Sequence, residues 1–279
     1  VDWNLGEPEK IAEEDFDFFR NLIQQQAGIT LSDAKRELVQ SRIRSHMNAL
    51  GVRSFAEYRA RLESPEAMSP GSVELQGFIN ALTTNKTEWF REIGHFDYLE
   101  TDHYPKWRET KTHPKIWSAA CSSGEEPYSL ALHLNKHLAQ SQFRILATDV
   151  DSNMLEIASN GVYPKAGLQQ VPSQYHSEFS FGTGDIEHWM KMRDSLKSHI
   201  SFKPFNLLSS TYPTDGPFDL ILCRNVFIYF TREIVQSIVE KMYDVASPGA
   251  RLFIGHSESL QNVKTRWRFL QPSIFEKAS

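Results

Sequence analysis

The chain has 279 residues, 40% of them hydrophobic and 23% charged, with a formal net charge of −5. That length allows a large core in one or two domains, and the composition excludes a disordered or fibrous chain. The negative balance argues against a general nucleic-acid binder. No window approaches 18 uncharged apolar residues, and the start Val1-Asp2-Trp3-Asn4 lacks a signal-peptide pattern, so a cytoplasmic protein without membrane insertion is expected.

Residues 14–80 read as helical throughout. Phe16, Phe19, Leu22 and Ile23 keep helical spacing, and Gly28 followed by Ile29-Thr30-Leu31 marks a break. In a helix predicted over 32–50, Val39, Ile43, Met47 and Leu50 form one stripe, with Lys35, Arg42 and His46 on a face beside it. From residue 35 to 63 seven basic residues stand against three acids, so this segment is +4 and the remainder −9. Such a face is either the solvated flank of a core helix or a docking surface for an acidic partner.

Ser69-Pro70-Gly71-Ser72 interrupts the pattern. Residues 78–92 then read as a polar turn entering an aromatic helix, with Asn85 and Glu88, and Thr84 and Thr87, available as caps. From Lys115 onward strands and helices alternate, which predicts a parallel sheet covered on both faces. Strands are expected at 116–120, 143–148, 200–207, 218–225 and 251–255, with helices at 125–138, 152–160 and 232–246. Residues 162–200 read as an insertion with short strands, and 267–270 with 273–276 as a closing hairpin. Cys121 and Cys223 each fall in an apolar strand pattern, as buried free thiols of a reducing compartment would.

The central stretch is Ile116-Trp117-Ser118-Ala119-Ala120-Cys121-Ser122-Ser123-Gly124-Glu125-Glu126-Pro127-Tyr128-Ser129. An apolar strand runs through small residues into a helix, so a ligand can lie against bare backbone. Glu125 and Glu126 fill the first turn of that helix, where a pyrophosphate would need free N–H groups, and one glycine stands where a dinucleotide fingerprint has three. Asp149 closes the second strand 25 residues after Gly124, placed to accept both hydroxyls of a ribose. Asn206 and Asn225, at later strand ends, can each read an adenine edge or an amino-acid group. A nucleoside without phosphates and with positive charge satisfies this pattern, which describes S-adenosyl-L-methionine.

Five segments carry a family resemblance: Asn85-Lys86-Thr87-Glu88-Trp89-Phe90-Arg91-Glu92, the stretch from Trp117 to Ser129, Ala147-Thr148-Asp149-Val150-Asp151, Cys223-Arg224-Asn225-Val226-Phe227-Ile228-Tyr229-Phe230, and Gly255-His256-Ser257-Glu258-Ser259. In this order they resemble the chemotaxis receptor methyltransferases of the CheR type, from about residue 15 to the C-terminus. The resemblance implies an α/β protein: a helical N-terminal domain over 10–82 for receptor docking, and a class I, Rossmann-like methyltransferase domain over 83–279 with a β-subdomain inserted near 177–203. It implies methyl transfer to glutamate side chains on cytoplasmic helices of chemoreceptors by a monomer, leaving S-adenosyl-L-homocysteine. The implied cofactor contacts fall on Asn85, Thr87, Arg91, Ala120, Glu126, Asp149, Asn206, Leu207, Arg224 and Asn225. Glu126 would take the amino group and Asp149 the ribose, while Arg91 and Tyr229 would lie nearest the transferred methyl and the incoming carboxylate. The implied docking face falls on Lys35, Arg36, Arg42, Arg44 and His46, and is thinner than in some members because Ser45 and Asn48 stand where further arginines can occur.

Rival readings are weaker. Gly255-His256-Ser257-Glu258-Ser259 lacks the last glycine of a nucleophile elbow, and no histidine follows it. Cys223-Arg224-Asn225-Val226 is not the Asn-Pro-Pro-Tyr type of stretch common in base methyltransferases. A docking module that keeps the cofactor only as a ligand is the non-enzymatic alternative. His133 and His137 are spaced as zinc ligands can be, but Leu134-Asn135-Lys136 supplies no acid and no third ligand is evident, so a solvated helix face and no metal are expected.

Overall fold

The computed structural model describes residues 10–69, 71–110, 113–138 and 143–278; the start Val1-Asp2-Trp3-Asn4 and Pro70 lie outside the described residues. The chain divides into two compact units, 1–84 and 85–279.

The first unit is helical: α1 (Glu13–Ala27), α2 (Arg36–Leu50), α3 (Phe55–Leu62) and α4 (Val73–Leu82). Phe16, Phe19 and Ile23 of α1, Ile43 and Met47 of α2, Phe55 and Tyr58 of α3 and Phe78 of α4 are all buried, as one-face helical spacing requires. Residues 33–35 form a 3₁₀ turn rather than the first turn of α2, so Lys35 precedes the helix instead of sharing its face. Ser54 and Ser72 cap α3 and α4, each accepting an N–H from three residues on.

The second unit opens with α5 (Gly94–Tyr98), a π-turn (Leu99–His103) and α6 (Tyr104–Thr110). It then alternates β1 (Lys115–Ala119), α7 (Glu125–His137), β2 (Arg144–Asp149) and α8 (Ser152–Asn160). The insertion follows as β3 (Val162–Pro164), β4 (Phe179–Phe181), β5 (Trp189–Met192) and α9 (Asp194–Lys197). The chain closes with β6 (Ile200–Pro204), β7 (Phe218–Cys223), α10 (Arg232–Asp244), β8 (Ala246–Phe253), β9 (Arg268–Gln271) and β10 (Ile274–Glu276).

Seven strands form the main sheet in the order β6-β2-β1-β7-β8-β10-β9, with β9 and β10 as an antiparallel hairpin at one edge. Alternate residues feed opposite faces: Ile116, Ile145 and Leu220 pack with Leu130 and Leu134 of α7, whereas Trp117, Leu146 and Ile221 pack with Val235 and Val239 of α10. The strand order reverses between β1 and β7, and ligands of such sheets bind beyond the carboxyl ends at that reversal. Both cysteines are buried free thiols.

Two expectations about this unit are corrected. The small sheet is β3-β5-β4, so the insertion begins at Val162, and Ile200–Pro204 belongs to the main sheet rather than to a subdomain ending near 203. Residues 89–92 turn instead of starting a helix, with Phe90 at φ 51° and Glu92 at φ 59°. Trp89 and Phe90 give their N–H groups to Gln170 Oε1 and Ser129 Oγ, far along the chain, so tertiary partners replace the helical ones.

Candidate active site

The turn after β1 is built for close approach to backbone. Ala120, Ser122 and Gly124 all have positive φ (59°, 50° and 97°), and Gly124 is the N-cap of α7. A Cβ on Gly124 would lie 2.8 Å from Ala158 Cβ and 2.9 Å from the Tyr163 hydroxyl, so glycine is demanded by packing as well as by φ.

Asp149, at the end of β2, is buried, and its two oxygens accept the N–H of Ser122 at 2.7 Å and of Asp151 at 2.9 Å. The second of the sheet's strand ends is thereby tied to the first. Burial pushes the Asp149 carboxyl up from the ordinary range, with those backbone donors opposing it. Asp151 caps α8 and also accepts the Asn85 amide at 2.7 Å, which brings the 85–92 segment against this edge.

The third strand end supplies a cation. Arg224, with a side chain 2% exposed, lies between two carboxylates: Nη1 donates to Glu126 Oε2 at 3.0 Å, and Nη2 to Glu92 Oε2 at 3.0 Å. Glu126 Oε1 accepts the Ser118 hydroxyl at 2.7 Å, and Glu92 Oε1 accepts the Asn225 amide and the His256 N–H. Burial raises Glu126 despite Arg224 and Ser118. Burial also acts on Glu92, but Arg224, the His256 N–H and Asn225 outweigh it and hold that carboxyl low.

Asn225, at φ 59°, is fixed from elsewhere in the chain. Glu258 accepts the N–H groups of Asn225 and Gly255 on one oxygen, at 2.9 and 2.6 Å, and of Phe227 on the other at 2.7 Å. A Cβ on Gly255 would come within 2.9 Å of both Asn225 N and Glu258 Oε2. The failed nucleophile elbow is therefore a brace. Glu92, Ser118 and Glu258 were not singled out from sequence; Glu92 and Glu258 sat inside quoted motifs, but their partners lie 132 and 33 residues away.

The remaining candidates are more peripheral. Arg91 is half-buried and donates to Lys86 O at 3.0 Å. Thr87 and Tyr229 are half-buried at the same level. Asn206 turns its amide oxygen onto the N–H of Leu208, and Leu207 packs into the core of the α10 face.

The candidate docking residues of the first unit are engaged within it. Arg42 Nη1 caps the C-terminus of α4 through Leu82 O at 3.0 Å and Thr83 O at 2.7 Å. Arg36 pairs with Glu13 at 2.7 Å and covers the Phe16 ring, and Arg44 lies 5.0 Å over the Phe55 ring. His46 is half-buried against Tyr58 and Gly77, and burial lowers its pKa.

Comparison with known proteins agrees with this geometry. Residues 85–275 match the family model described as "CheR methyltransferase, SAM binding domain", and residues 14–83 match "CheR methyltransferase, all-alpha domain". The chain belongs to the CheR methyltransferase family. It is 39% identical to the chemotaxis protein methyltransferase of Escherichia coli (strain K12), over 96% of this chain and 92% of that one. It is 40% identical to the Salmonella typhimurium protein of the same name, over 87% of this chain and 82% of that one. Chemotaxis protein methyltransferase 2 of Pseudomonas aeruginosa is 35% identical, over 95% and 93% of the two chains. This CheR-family chain is a methyltransferase, its fold is the class I methyltransferase fold following a helical domain in sequence, and its methyl donor is S-adenosyl-L-methionine. Neither the docking-module reading nor the nucleic-acid methyltransferase reading is favoured by these relatives.

Proposed function

We propose that the chain methylates glutamate side chains on the cytoplasmic helices of chemoreceptors, acting in the cytoplasm as a monomer, with no role for nucleic acid. The reading rests on one observation above all: the helix after β1 begins with a largely buried carboxylate, Glu126, and the next strand ends in the buried carboxylate of Asp149, where a phosphate-bearing ligand would need bare N–H groups. Two acids and a turn of positive φ fit a cationic, hydroxyl-rich nucleoside. No described helix is long and apolar enough to cross a membrane.

When bound, S-adenosyl-L-methionine supplies a methyl group activated by sulfonium. Asp149 would accept its ribose hydroxyls and Glu126 its amino group, with Asn85, Thr87, Ala120, Asn206, Leu207 and Asn225 completing the cradle. Arg224, which the resemblance places among the cofactor contacts, has a side chain 2% exposed between Glu92 and Glu126 and would act on the ligand through the carboxylates it holds. A substrate glutamate is already ionised near pH 7, so the protein needs no general base; it must align the carboxylate and partly desolvate it. Arg91 would orient that carboxylate through its remaining N–H donors, and Tyr229 would close the rim. The first unit would dock the receptor through the outward parts of Lys35, Arg36, Arg42 and Arg44 with His46 behind them.

The test is transfer of tritiated methyl to receptor fragments. Base-labile label on glutamates is expected, and Arg91→Ala should lower kcat roughly 10²-fold. Label on no glutamate, or equal rates in the variant, would overturn the assignment.

A further inference from the structure

At the far end of α7 from Glu126 lies a second cluster that methyl transfer does not use. His133 and His137 stack with ring centroids 4.5 Å apart. Glu100, from the π-turn, brings Oε2 to 3.9 Å from His133 Nε2 and 3.8 Å from His137 Nε2. One ligand atom from each residue lies within 4.8 Å of the other two.

This corrects the expectation of a solvated helix face. His133 is 6% exposed, and the missing acid arrives from 33 residues earlier in the chain. The π-turn makes this possible: its widened ladder, closed by the N–H of Tyr104 on Leu99 O, turns both Glu100 and Tyr104 toward α7. Tyr104 is fully buried, with its hydroxyl 2.7 Å from His133 Nδ1. With Nδ1–H donating to that oxygen, the Nε2 lone pair faces Glu100, which is how outer partners orient metal-binding histidines.

The cluster lines an open cavity of about 200 Å³, so an ion can enter. Lys136 shares the cavity, but its ammonium is turned onto Gln174 Oε1 and over the Tyr175 ring. Arg108, also nearby, donates to Tyr104 O. Zinc bonds of about 2.0–2.1 Å in a tetrahedron put ligand atoms about 3.3 Å apart, so each histidine Nε2 needs to approach Glu100 Oε2 by only about half an ångström. Two imidazoles and one carboxylate suit zinc and its neighbours; calcium and magnesium prefer oxygen alone.

We infer that Glu100, His133 and His137 form a binding site for a divalent transition-metal ion of the zinc type, with its fourth position open to solvent. Such an ion pins the π-turn to α7 and takes no part in the methyl transfer, since Glu126 and His137 are separated by about 16 Å of helix. The other compact cluster among the described residues, Glu92, His95 and His256, is a poorer host because Arg224 lies against Glu92.

The test uses the whole untagged chain, stripped with EDTA and titrated with zinc chloride by calorimetry, with cobalt(II) absorption reporting the geometry. One ion per chain is expected. His137→Ala and Glu100→Gln should each weaken binding at least 10-fold, and Tyr104→Phe about 10-fold through loss of ring orientation. His256→Ala should leave the affinity unchanged, and unaltered S-adenosyl-L-homocysteine binding by His137→Ala would show that the fold is intact. Absence of stoichiometric zinc binding by the unmodified chain, or binding lost in His256→Ala and kept in His137→Ala, would overturn the site.

Discussion

Asp149, buried at the end of β2, and Glu126, largely buried in the first turn after β1, are carboxylates kept in place by different means. Asp149 is met by backbone N–H groups of Ser122 and Asp151, while Glu126 is met by the Ser118 hydroxyl and the Arg224 guanidinium. A backbone dipole cannot leave without refolding the turn; a guanidinium on a side chain can. Asp149 is therefore preformed for neutral hydroxyl donors. Glu126 depends on a cation, and any ligand ammonium there must join or displace one already present.

The largest effect expected from this contrast comes from Arg224→Met. It leaves the largely buried Glu92 and Glu126 without their cation, and stability should fall by about 3–5 kcal/mol in urea unfolding at pH 7. A loss below about 1 kcal/mol would mean that Glu126 is as self-sufficient as Asp149. Asp149→Ala comes next, weakening binding of S-adenosyl-L-homocysteine by about 1–3 kcal/mol in calorimetry, the usual consequence of unpaired buried partners. Unchanged affinity would remove Asp149 from the ribose site.

Acid provides the smallest effect and acts on one side of the contrast. His95 Nδ1 lies 3.6 Å from Glu92 Oε2, and burial together with Arg224 lowers its pKa to about 3. An unfolded histidine titrates near 6.5, so His95 contributes stability above that pH which is lost as pH falls toward its folded value. At pH 5 the loss should be about 2 kcal/mol, read from urea midpoints. His95→Asn should flatten the slope between pH 7 and 5; an unaltered slope would place the proton uptake elsewhere.

Much of the sheet was legible because β1, β2 and β7 are apolar runs buried on both faces, and a run of that kind bounded by Gly, Ser and Asp has few other readings. The small-residue turn was legible for a related reason: Ala120, Ser122 and Gly124 announce backbone exposure by lacking bulk. What sequence hid was set by distant partners. The turn at 89–92 looked like a helix start because nothing local shows Gln170 and Ser129 capturing its N–H groups. Lys35 fell outside α2 because a 3₁₀ turn occupies the place where periodicity predicted a helix. Glu100 could not be joined to His133 and His137 without the π-turn, and matching His with acid by local spacing alone was bound to miss it.

The brace made by Glu258 also bears on how the protein comes into being. A ribosome that has released residues up to 250 has already issued Asn85, Glu126, Asp149 and Asn225, yet the Asn225 bend still awaits a carboxylate 33 residues downstream. The Asn225 bend is thus among the last parts to be finished, and a chain cut short just before Glu258 would hold Asn85, Glu126, Asp149 and Asn225 while lacking the anchor that keeps Asn225 in its left-handed bend.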